Sequence, residues 1–296
     1  MDKKTGQKCR VKPIFFYLKE SLKFYDVDRP IVSQAVFVII LAVVFGGYVF
    51  SRPYTEDFFL YYEQISVSLM SQVEARNFDL TLLNTEIVYK MFDSMLIVLA
   101  IYSVIKAVSY IIATYYGVYY FYSLTDTETW LQRTISFLRK IFKIIIFNIL
   151  FYGIFAFFVI LLSISILLIS MFIPALMIIA TFLPFTILAV DMLFIFKNLL
   201  IVEFDVGIFK NFKSSLDITK GCKNRVILNG LWPHFLGLIL STFAIDIQNP
   251  ILALFIVAFF EVIIMLIFQK LTVLMFIDAA SIERKDKKTN KINNRE

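Results

Sequence analysis

The chain reads as an all-α polytopic integral membrane protein: six transmembrane helices with cytosolic interfacial amphipathic helices. Three observations predict this. Residues 144–202 hold two apolar runs joined at Pro174, in which only Asp191 and Lys197 carry charge. Each run exceeds the ~20 residues needed to cross a hydrocarbon core of about 30 Å, and a helix that is apolar all round has no solvent face. Hydrophobic residues make up 59% of the chain and charged residues 18%, which excludes an ordinary soluble domain. Finally, Lys and Arg number 8 in residues 1–30, 4 in 123–143, 5 in 203–225 and 6 in 279–296, while the segments between hold 3, none and none. Six spans put every basic-rich segment on one side, and the positive-inside rule places both termini in the cytosol of a plasma-membrane protein.

Residues 1–30 form a charged leader. Phe15, Leu18, Leu22 and Tyr25 recur at helical spacing, with Lys19, Glu20 and Lys23 on another face, as in a helix lying in the inner interface. No small-residue cleavage site follows the first apolar run, so the leader reads as retained. The membrane domain then covers residues 31–278, with spans about 31–50, 92–121, 144–171, 175–202, 226–245 and 250–277. Gly46 and Gly47 permit close packing in the first span.

Residues 51–90 are the longest connection and are rich in acids. Thr55 can cap a helix there, with Glu56 and Asp57 in its first turn. Five tyrosines between Tyr115 and Tyr122 crowd the inner end of span two, as an aromatic belt would. Residues 126–143 carry the stripe Leu131, Ile135, Leu138 and Phe142, with Asp126 and Glu128 first and Arg139, Lys140 and Lys143 last. That charge order suits a helix dipole on the membrane surface. Pro184 is expected to bend span four one turn outside Asp191.

Residues 203–225 form a second amphipathic helix, with Phe209, Phe212 and Leu216 on one face and Lys210, Lys213, Asp217 and Lys220 on another. Gly221 is placed to end it. Lys210, Lys213 and Lys220 are candidate contacts for anionic lipid, at about 1 kcal/mol per well-placed base. Topogenic charge explains the same residues and takes precedence. Residues 279–296 read as a disordered basic tail.

The stretch 207–231 resembles a loop in a group of bacterial six-span proteins, which includes the membrane domain attached to some glycerophosphodiester phosphodiesterases and stand-alone relatives. The matching positions are Lys213, Ser215, Leu216, Thr219, Lys220 and Gly221, with a weaker likeness in Asp278 before Arg284. Asp217 departs from the group's usual aromatic or basic residue. The resemblance implies the six-span architecture and transfers no activity, because the phosphodiesterase chemistry belongs to a separate barrel domain with catalytic histidines.

This chain has one histidine, His234, and no phosphate-binding glycine loop, H-E-x-x-H or nucleophile elbow. Neither an enzyme nor a cofactor is expected, and nucleic-acid binding has no support because the bases follow membrane sidedness. Cys9 and Cys222 fall in segments read as cytosolic and are expected to be reduced. Three charges lie deep within spans: Lys106, Asp191 and Glu261. Their burial demands a partner or a watered cavity. They form a candidate intramembrane cluster, read as a buried pair fixing helix register ahead of a proton or ion relay. Lys197 and Lys270, nearer the inner interface, are expected to snorkel.

The function expected is a non-enzymatic integral membrane module that scaffolds or assists an envelope or export complex. The alternative is a small transporter or lipid-handling protein using the intramembrane charges. Expected partners are membrane lipids, anionic ones included, and a membrane protein.

Overall fold

The computed structural model describes residues 9–74, 84–125, 129–170, 177–243 and 247–285. Among these residues there is no strand, and nine helices follow in order: α1 (Phe15–Leu22), α2 (Pro30–Glu74), α3 (Thr85–Thr125), α4 (Trp130–Ser170), α5 (Met177–Leu193), α6 (Lys197–Phe204), α7 (Ile208–Ile218), α8 (Lys223–Thr242) and α9 (Pro250–Ala280). Five stretches are long and apolar enough to cross a bilayer: Pro30–Gln72, Thr85–Thr125, Trp130–Ile166, Phe182–Phe204 and Pro250–Ala280. The protein is an all-α polytopic membrane protein. Pro174, Asp126, Glu128, Arg76, Asp79 and the tail beyond residue 285 lie outside the described residues.

Several helices run on where the sequence suggests a join. α2 continues through Pro53 into the acidic stretch instead of ending near Phe50. A proline removes one hydrogen bond and frees the carbonyls before it. Thr55, expected as a cap, instead donates its hydroxyl to the Ser51 carbonyl (3.1 Å), and Ser51 donates to that of Tyr48 (3.1 Å). α4 likewise fuses the amphipathic stretch with span three. Span four does the reverse. α5 passes through Pro184, and the helix breaks at residues 194–196, where tight turns separate it from α6.

Contacts sort the chain into two compact units, residues 1–36, 113–239 and 263–296 in one and residues 37–112 and 240–262 in the other. In the first, Tyr116, Phe121, Phe147, Phe196 and Phe276 are fully buried, and the Phe276 ring meets Phe121 and Phe196 at 5.7 and 5.6 Å. The tyrosines expected as a headgroup belt are thus core residues: Tyr116, Tyr119, Tyr120 and Tyr122 are all buried. Their tips reach the leader, Tyr116 donating to the Phe24 carbonyl and Tyr120 to Glu20 (2.8 Å).

Three amphipathic stretches in this unit bury polar residues and expose large apolar ones. α1 buries Tyr17 and Ser21 while Phe15 is 83% exposed. The start of α4 buries Arg133 and exposes Leu131, Leu138 and Phe142. α7 buries Asn211, Ser215 and Thr219 while Phe209 is 84% exposed. Exposed apolar side chains on these helices suit an outer medium of lipid, while Phe137 is buried and Phe212 meets the Phe147 ring at 5.1 Å.

The leader is clasped in the same unit. Cys9 and Cys222 are joined by a disulfide, with Cα atoms 5.0 Å apart, so the expectation of two reduced thiols is not met. The leader folds back across the α7–α8 turn, which sequence separation conceals. Arg225 donates to the Val11 carbonyl (3.1 Å), Asn229 to that of Lys12 (2.9 Å) and Tyr17 to Asp278 (2.7 Å). Glu20 receives both terminal nitrogens of Arg284 at 2.7 and 3.1 Å. Burial alone would raise the Glu20 carboxyl, yet the bonds from Arg284 and Tyr120 outweigh it and hold the group below its usual range.

In the second unit the rings of Phe37 and Phe259, and of Phe45 and Phe255, meet edge to face at 5.6 and 5.4 Å. Of the two adjacent glycines, Gly47 is the one that sets spacing. A Cβ there would stand 2.2 Å from Ile105 Cδ1, whereas one at Gly46 would meet nothing within 4 Å.

Candidate functional site

The close approach at Gly47 brings α2 and α3 onto α9 at Glu261. Tyr48 donates to one oxygen of that carboxylate and the Lys106 ammonium to the other. Glu261 is mostly covered, with its side chain 20% exposed, while that of Lys106 is 52% exposed. Tyr102 packs on Tyr48 with ring centres 5.4 Å apart. Both carboxylate oxygens are therefore bonded inside the apolar stretch, as the cost of an unpaired charge in lipid requires.

Asp191, the third member of the expected trio, takes another partner. Lys197 Nζ lies 2.8 Å from Asp191 Oδ1 and 2.9 Å from the Tyr152 hydroxyl. The same ammonium stands over the rings of Phe151 and Tyr152, 4.1 and 4.3 Å from their centres. Lys197 is 2% exposed, so it is a buried ion and does not snorkel. Six residues apart, Asp191 and Lys197 would point away from one another on a continuous helix. The break at residues 194–196 brings them together.

The break is braced by α7. Asn211 Nδ2 donates to the Lys197 carbonyl (2.8 Å), and Asn148 on α4 donates to Asn198 Oδ1 (2.9 Å). Ser215 and Thr219 continue the buried polar face, and Gly221 follows with a φ of 80°, in the left-handed region that favours glycine. Gly230 brings α8 against Met192, where a Cβ would stand 2.4 Å from the sulfur. His234 packs edge-on to Phe268 at 5.4 Å.

The lysines considered for lipid contact lie at the surface. Lys210 and Lys213 are exposed on α7, and Lys220 is exposed in the turn after it. Nearby, Lys143 reaches Asp205 at 2.7 Å, and that hydrogen bond holds the Asp205 carboxyl below its usual range.

Sequence reasoning missed Tyr48, Tyr152 and the buried roles of Lys197 and Lys270. Lys270 is 1% exposed and donates to the carbonyls of Lys23 (2.7 Å) and Asp26 (2.8 Å), with the Tyr120 ring at 4.5 Å. The available signal was position: a lysine within an apolar run has partners to find. Among the described residues no group of three or more His, Cys, Asp or Glu could hold a metal ion. Comparison with family models, curated proteins and solved structures finds no match to the chain.

Proposed function

We propose that the protein is a non-enzymatic integral membrane module that scaffolds partners in an envelope or export complex. The clasp carries this reading. A disulfide, the Glu20–Arg284 ion pair, the Tyr17–Asp278 hydrogen bond and bonds to five backbone carbonyls fasten the leader to α3, α8 and α9 and the residues that flank them. So much bonding in a segment outside the spans builds a rigid polar platform, which is what a scaffold presents. The intramembrane ions fit the same reading, because Lys106–Glu261 and Asp191–Lys197 each satisfy themselves within the protein. The alternative, transport through those charges, needs them for function beyond folding. In cells deleted for the gene, the doubles Lys106→Met/Glu261→Gln and Asp191→Asn/Lys197→Met separate the two. A scaffold keeps wild-type complementation in each double that folds. A folded double that fails to complement overturns the scaffold and installs the transporter.

The proposed topology is six spans in the plasma membrane with both termini cytosolic. The ion pair between Glu20 and Arg284 supports an even number of crossings, since paired residues share a side. The five apolar stretches then need a sixth, which α8 supplies despite Asn229, Pro233 and His234. Charge segregation sets the orientation. The Cys9–Cys222 bond argues the other way, because disulfides persist mainly in oxidising compartments. We give the charge bias precedence because it recurs in four separate segments. With Cys9 and Cys222 replaced, cysteines at Ser71 and Gln248 are expected to react with an impermeant thiol reagent on intact cells, and one at Lys213 to be protected. Labelling at 213, or protection at 248, removes this topology.

The same loop supports kinship with the six-span group named above. Ser215 and Thr219 face inward and Gly221 carries the left-handed turn, so the shared residue types have structural work in this chain.

A further inference from the structure

We propose that a groove of about 450 Å³ in the second unit binds one anionic phospholipid, with phosphate at Arg52 and an acyl chain along α9. Arg52 and Gln248 supply polar lining, and Pro250, Ala253, Leu254 and Val257 supply the wall. Those four recur at helical spacing and form one ridge of α9 spanning about 10 Å of its axis. Arg52 follows directly on the apolar run 31–50, and Pro250 opens the last apolar run. Both therefore stand where hydrocarbon gives way to headgroups, and the ridge descends from there into the acyl layer.

Arg52 is the cation of this groove. Its Nε donates to Glu56 at 2.6 Å, leaving the two terminal nitrogens for a ligand. Glu56 is itself 61% exposed, and an exposed pair one helical turn apart is weak and screened. A phosphate diester engaging the guanidinium fork makes a stronger contact. The apolar ridge selects a lipid over a free phosphate, which has no use for it. The site is separate from the α7 lysines and does not depend on the scaffold reading.

The test uses the full chain in nanodiscs of phosphatidylcholine containing a minor share of phosphatidylglycerol, and measures the phosphatidylglycerol retained per protein after delipidation in detergent. Wild type is expected to enrich phosphatidylglycerol. Arg52→Gln should lower its retention roughly tenfold, the effect of losing one charge-assisted bidentate contact. Glu56→Gln, which frees Arg52, should raise retention, and Val257→Trp, which fills the acyl groove, should lower it. Inorganic phosphate at millimolar concentration should displace none. Phosphatidylglycerol preference unchanged in both Arg52→Gln and Glu56→Gln overturns the site, as does full displacement by phosphate. Loss of preference only on replacing Lys210, Lys213 and Lys220 together moves lipid binding to α7 and also overturns it. If Arg52→Gln does not fold, Glu56→Gln and Val257→Trp decide the matter alone.

Discussion

Replacing Lys197 with Met is expected to cut the yield of folded protein severely, and Asp191→Asn to do at least as much. Each single change strands a charge in an apolar setting. Breaking a buried pair from one side costs about 3–5 kcal/mol, whereas replacing both members with apolar or neutral groups of like volume is often close to neutral. Lys197 is the more buried partner, its side chain 3% exposed against 26% for Asp191. The ammonium left by Asp191→Asn therefore has less access to relief, although the faces of Phe151 and Tyr152 remain. The double Asp191→Asn/Lys197→Met should recover most of the yield, read by fluorescence-detected size exclusion and thermal unfolding in detergent. A double as poor as the worse single would mean that the ions hold the 194–196 break through something other than their mutual charge. Singles that match wild type would mean that water reaches the pair.

The second large effect is expected at Lys270, where charge pairing is not the issue. Its ammonium closes two backbone carbonyls of the leader, those of Lys23 and Asp26. Met at this position fits the apolar stem and leaves the Asp26 carbonyl without that donor, at about 1–3 kcal/mol for an unsatisfied group, while the Lys23 carbonyl keeps its bond from the Asp26 amide (2.9 Å). The ammonium–ring contact with Tyr120 is lost as well. Hydrogen exchange across residues 24–29 should rise by an order of magnitude or more while exchange in the middle of α9 stays slow. Lys270→Arg is not expected to rescue, because a planar fork does not reproduce a compact point donor. Unchanged protection of residues 24–29 in Lys270→Met would show that the leader is held by its other bonds alone.

Much of the architecture was legible because lipid as solvent imposes coarse rules. A run such as 144–171 has no soluble alternative. Lys106 and Glu261 were legible as residues needing partners for the same reason. What escaped was local geometry with no compositional mark. Phe194-Ile195-Phe196 contains no glycine or proline, yet the helix breaks there, so Asp191 finds Lys197 at a spacing that no continuous helix brings together. Pro53 and Pro184, which do mark breaks by type, lie inside continuous helices. The tyrosines of α3 looked like a belt because sequence shows where they cluster along the helix and not what covers them. The leader meets Tyr116 and Tyr120, joining residues more than 90 positions apart, and Arg133 of α4 lies over the Tyr119 ring. Lys210, Lys213 and Lys220 could be identified as surface residues from the face they share, but the face opposite, Asn211, Ser215 and Thr219, was harder to read. Its polarity suggests solvent, yet it is buried, and Asn211 grips the backbone at the break with Ser215 bonded to its side chain.

The clasp also sets an order of events during synthesis. The leader is made early, but Cys222, Arg225, Asn229, Lys270, Asp278 and Arg284 are all made late. Through most of translation the leader has neither its covalent anchor nor its salt-bridge partner, and it waits at the membrane surface with Phe15 and Phe16 as its hold on lipid. Closure becomes possible only when α9 has been threaded to its far end. A chain whose synthesis stops short of α9 thus keeps an open leader.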